Sequence, residues 1–173
     1  MRVALGLSVH TGWAAAAVAG GTWNKPLVVA REHVELLGNS DRFVFHAAAE
    51  MALGEAAARV ARLRGEALER AGGVMKRLAA DHAVKACAVV AKKGVLRPLQ
   101  EIVSAHPRIH AAEGCFFRDV LLEAAERAGM RVRVVAPGDL DANDERLAGV
   151  GRLVGKPWSV DWRVAVLAAW TVA

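Results

Sequence analysis

Short apolar runs separated by tight turns open the chain. Arg2–Ser8 places Val, Ala and Leu around Gly6 and predicts a buried strand, closed by the turn His10-Thr11-Gly12. Trp13–Ala19 is a second apolar run that stops at Gly20-Gly21. Leu27–Leu36 is a third, and its second half alternates as Arg31, Glu32, His33, Val34, Glu35, Leu36. Connections this short between consecutive strands predict an antiparallel meander.

From Phe43 to about Ala80 the period becomes helical, with Met51, Ala58, Leu63, Leu68 and Leu78 recurring among alanines. Gly72-Gly73 is expected to interrupt or bend that helix. Val84–Ala91 reads as a central strand covered on both faces. A helix follows Pro98 and restarts near Pro107, because a proline disfavours helical geometry at the residue before it, His106. The second piece runs to Gly129, a favourable stop. Met130–Ala136 is a further strand, Asp139–Glu145 a polar loop and Leu147–Leu153 a short helix. Ser159–Val172 is the last helix, with Ser159 as its N-cap. The order β-β-β-α-β-α-β-α predicts an α/β protein with a mixed five-stranded sheet flanked by helices.

Composition narrows the class. At 173 residues and 54% hydrophobic, the chain suits one globular domain over 1–173 and excludes a disordered one. The apolar stretches stop short of the roughly 18–20 residues a membrane helix requires. The first strand turns polar at Ser8 and His10, unlike a signal peptide. Cys87 and Cys115 lie in apolar contexts without metal-ligand spacing, as expected in a reducing cytoplasm. The net charge of +5 favours anionic partners, although Lys and Arg are spread along the chain and form no polybasic arm.

The element order, together with Leu5-Gly6-Leu7-Ser8, a turn, Thr11-Gly12-Trp13 and an apolar second strand, resembles the ribonuclease H-like superfamily. The hairpin looks like the opening of Holliday-junction resolvases. The sequence is also similar to a bacterial family that joins such a hairpin to a Ser-x-His-x-x-x-His-x-x-Glu-Gly segment, here Ser104 to Gly114. The resemblance implies acids on the first strand, on the first helix or fourth strand, and on the last helix, which hold two divalent metals. This chain departs from that set. Ser8 occupies the first-strand position, Lys92-Lys93 end the fourth strand, and Glu50 and Asp161 are the family-like acids that remain. A hydroxyl and two lysines do not replace carboxylates around metal ions, which argues against two-metal cleavage.

The candidate site therefore gathers Ser8, His10, Lys92, His106, His110, Glu113 and Asp161, with Lys156 near the last helix. Ligand sites in α/β sheets favour the carboxyl ends of strands, where Ser8, His10 and Lys92 lie. Three readings of the Ser104–Gly114 segment stay open. His106, His110 and Glu113 are ligands of a divalent metal; they cap their helix and bond one another; or His10, His106 and Lys92 form a phosphate pocket. Asp161 either points inward, partnered by Lys156, His10 or a metal, or merely favours the positive end of its helix. His46 and Glu50, at i and i+4, form a pair of their own. Arg118, Arg152 and Arg163 read as solvated helix residues, and Trp158 and Trp162 as packing anchors in preference to stacking platforms for a base or sugar.

The expected function is binding of a phosphate-bearing ligand, a nucleic acid or a nucleotide. The alternatives are a metal- or histidine-assisted phosphoesterase, in which Asp161 and Glu113 hold one metal and a histidine, His106 or His110, acts as general acid or base, and a structural protein pairing as a homodimer.

Overall fold

The computed structural model describes residues 2–173. Its sheet has five strands: β1 (Val3–His10), β2 (Trp13–Thr22), β3 (Lys25–Glu35), β4 (Ala86–Val90) and β5 (Arg131–Val135). They lie in the order β3-β2-β1-β4-β5. The first three are antiparallel, whereas β4 pairs parallel with β1 and β5 parallel with β4. The mixed five-stranded sheet expected from the element order is present, with its meander intact.

The helices are α1 (Val44–Ala49), α2 (Leu53–His82), α3 (Leu99–Ile102), α4 (His106–Arg127), α5 (Leu147–Val154) and α6 (Val160–Trp170). A single 3-10 turn spans Pro137–Asp139. The side chains of β1 alternate between two layers. Leu5 and Leu7 join Leu63, Met75, Phe116 and Phe117 in the main core, beneath α2 and α4. Gly6 faces the other way, against the backbone of α6. Ala17 and Ala19 on β2 meet Ala165, Val166 and Ala169 in a smaller cluster on that side. Small residues on both surfaces let α6 approach the sheet closely. The alanine-rich composition thus has a packing use.

Several expected boundaries differ. The long helix over Phe43–Ala80 is two helices, broken at Glu50-Met51-Ala52, while α2 runs unbroken through Gly72-Gly73. Nothing lies within 4 Å of a Cβ built on either glycine, so both tolerate helix geometry as exposed-side positions. The helix after Pro98 is one short turn, and α4 begins at His106, with Pro107 in its first turn, where a missing N–H is harmless. Ser159 occupies the N-cap of α6, yet its hydroxyl makes no capping bond. That helix ends at Trp170 rather than Val172. Gly129 stands just past α4 with φ near +80°, the left-handed conformation that stops a helix.

Among the described residues, no helix is long and apolar enough to cross a membrane.

Candidate functional site

The pleat decides which polar side chains can meet. Ser8 and His10 share the face of Gly6, towards α6. On β2, Trp13 stands opposite His10, and on β3 His33 stands opposite Ala15, two residues along the same face from Trp13. The three rings stack in a column across three strands. His10 and Trp13 lie 4.2 Å apart at 10°, and Trp13 and His33 4.6 Å apart at 17°. His33 is exposed, whereas His10 and Trp13 are half-buried.

His10 is held in place from α6. Its Nε2 lies 2.8 Å from Oδ1 of Asp161, a contact that joins the end of β1 to the first turn of the last helix. Asp161 therefore points inward and takes His10 as its partner. Lys156 is exposed and forms no ion pair among the described residues. Nearby, the Arg31 guanidinium packs against the ring of Trp162 at 5.7 Å and donates to the carbonyls of Val154 and Pro157. Trp158 is a packing anchor, set between α5 and α6 with Trp170 and Leu147.

The Lys92 and Lys93 side chains are exposed beyond β4. Behind them lies Arg118, which is buried rather than solvated. It donates to Oδ1 of Asp119 and, at 3.2 Å, to the Lys92 carbonyl, so α4 fixes the exit of β4. Arg163, also expected in solvent, is half-buried and reaches the carbonyls of Ala142 and Trp158. Arg152 is exposed, as expected.

The second polar cluster is on the opposite face. Since α4 runs antiparallel to β4, its first turn lies near the same carboxyl edge, but under the sheet with α1 and α2. His106 Nε2 and His110 Nε2 lie 2.9 Å apart. The ring of His46, from α1, packs edge-on against both, with centroids 5.2 and 4.8 Å away. His46 Nδ1 lies 2.8 Å from Oε1 of Glu113, whose side chain is buried.

This geometry corrects three expectations. His10 and His106 lie on opposite faces of the sheet and do not build one phosphate pocket. Asp161 and Glu113, separated in the same way, cannot share one ion. His46 pairs with Glu113 rather than Glu50, because α1 ends at Ala49 and leaves Glu50 exposed beyond it. His46 was legible only as a neighbour of Glu50. Nothing in its spacing from His106 signals that α1 packs on the start of α4.

Solved structures with the same architecture carry low sequence identity. RuvC of Thermus thermophilus in complex with a Holliday junction substrate matches at 15% identity, covering 98% of this chain and 90% of that one, with a TM-score of 0.61. A second structure of Thermus thermophilus RuvC matches at 16% identity, covering 97% and 91%, with a TM-score of 0.57. The fold is ribonuclease H-like. No protein-family model and no curated protein sequence matches the chain.

At the end of the first strand the buried polar residue is Ser8. Asp161 is engaged by His10, and Glu50 is out in solvent beyond α1. Among the described residues, the group of three side chains able to hold a metal is His46, His106 and His110, and it includes no carboxylate.

Proposed function

We propose that this ribonuclease H-like chain binds nucleic acid on the α6 side of the sheet's carboxyl edge, without two-metal cleavage. The observation that carries the reading is the ring column His10–Trp13–His33. Stacked rings that end at an exposed edge offer bases a surface to extend, and such stacking is tolerant of sequence. The exposed Lys92 and Lys93 beside β4, and Lys156 before α6, supply cations for phosphates. The net charge of +5 acts in the same direction. Lysines and a lone, engaged Asp161 do not assemble the carboxylate set that two divalent ions require.

The bound substrate of the RuvC neighbour makes branched DNA the first probe. Fluorescence anisotropy with labelled four-way junction, duplex and single-stranded DNA should show binding that weakens as salt rises. His33→Ala and the pair Lys92→Ala/Lys93→Ala should each weaken it by about fivefold or more, a base stack being worth roughly 1–3 kcal/mol. Both changes are at exposed positions, so circular dichroism should stay unchanged. Incubation of the junction with Mg²⁺ or Mn²⁺ should give no cleavage. Absence of binding at low salt, or variants that bind like the wild type, would remove the reading. Size-exclusion chromatography with light scattering on the same sample tests pairing into a homodimer.

A further inference from the structure

We infer that His46, His106 and His110 form a binding site for one divalent transition-metal ion of the zinc class, with Glu113 as the group that orients His46. The site lies on the α1–α4 side, across the sheet from the ring column, and is independent of nucleic-acid binding.

Geometry supplies the first argument. One ligand nitrogen from each imidazole lies within 4.8 Å of the other two. An ion at about 2.0–2.1 Å from each nitrogen would hold tetrahedral ligands about 3.3 Å apart, so the His106 and His110 nitrogens open by a few tenths of an ångström while His46 moves in by at most about 1.5 Å. His106 and His110, at i and i+4 in the first turns of α4, already aim the same atom type at one point, with 2.9 Å between them. Two ring nitrogens at that distance demand that one donate and the other accept. An ion between them removes that demand, since both then act as lone-pair donors.

Glu113 supplies the second argument. Its carboxylate is buried, only 4% exposed, and among the described residues its side-chain hydrogen-bond contact is Nδ1 of His46. A buried carboxylate needs a partner, and here a single imidazole supplies it. A proton held on Nδ1 towards Glu113 leaves Nε2 of His46 as the free ligand. This carboxylate–imidazole–metal arrangement fixes tautomer and ring orientation in metal sites. The negative charge also offsets the positive end of α4, which would otherwise repel a cation at His106. His106 and His110 are exposed, so an ion has an open path and a fourth position facing water.

The test uses the full chain stripped of metal with a chelator. Zn²⁺ is titrated against a chromophoric competitor, and Co²⁺ is followed by visible absorption. One equivalent should bind, Co²⁺ should show the intense bands of tetrahedral coordination, and Zn²⁺ should raise the melting temperature. His110→Gln, at an exposed position, should lower affinity at least tenfold while the metal-free protein melts as the wild type does. Glu113→Gln should lower affinity by about 10–100-fold. Should that variant misfold, His46→Gln replaces it, with the same expected loss. Stoichiometric Zn²⁺ that the His46 and His110 variants retain would overturn the assignment, as would binding only at millimolar Zn²⁺.

Discussion

His10 and Asp161 are 151 positions apart in the chain and meet at 2.8 Å, Nε2 to Oδ1. The contact closes the ribonuclease H-like layer structure at one corner: the end of the first strand is tied to the first turn of the last helix. It also positions the first ring of the stacked column. Both side chains are about one-third exposed, which sets the scale of what the pair contributes.

At that exposure the pair is worth about 0.5–1 kcal/mol. Asp161→Ala should also lose the favourable placement of a negative charge at the start of α6, roughly 0.3–1 kcal/mol. A double-mutant cycle with His10→Gln separates the two, because the charge–helix term is present with or without His10. Urea unfolding at pH 7 should give a coupling of about 0.5 kcal/mol or more. A coupling of zero would mean that Asp161 serves its helix and not His10.

Gly6 tests the closeness of α6. A Cβ there would lie 1.9 Å from the Ala165 carbonyl oxygen and 2.6 Å from the Ala169 nitrogen, both backbone atoms that cannot move alone. Gly6→Ala should therefore cost about 3 kcal/mol or more, or prevent folding. Gly73→Ala makes the contrast, because nothing lies within 4 Å of its Cβ and the residue is inside a helix. It should stabilise by about 0.5–1 kcal/mol. Urea midpoints of the two variants should move in opposite directions.

Cys87, the second residue of β4, has no exposed surface, and burial pushes its thiol up from 9.0 to about 12. Thiol reagents at pH 8 should leave it untouched until the chain unfolds. The fold favours the protonated thiol, so this contribution to stability is complete below pH 9. It is lost as pH rises from there towards about 12, where the unfolded chain ionises first. Wild type and Cys87→Ala, compared by urea unfolding from pH 7 to 10.5, should differ in slope only above pH 9. Rapid labelling of native Cys87 at pH 8 would contradict the burial.

Some elements were readable because one local rule governs each. Continuous apolar character marks β4, expected over Val84–Ala91 and found at Ala86–Val90. Alternation marks β3, and a turn after His10 separates β1 from β2. The division between α1 and α2 was not readable. Alanine satisfies helix and core alike, so the run over 43–80 carries no punctuation at Glu50-Met51-Ala52. The glycine pair that looked like punctuation faces open space and interrupts nothing.

The sequence alone determined the order of strands and helices and the mixed sheet, and it showed Ser8 and two lysines at the ends of the first and fourth strands. Those follow from side-chain period and residue chemistry, which are local. It named most of the polar residues but joined them in one pocket. The tertiary structure divided them, because successive side chains of a strand point to opposite faces and helices cover each face separately. Asp161 met His10 on one side, and on the other α1 delivered His46 to His106, His110 and Glu113. Which helix packs on which face is settled by long-range burial, and spacing along the chain does not record it.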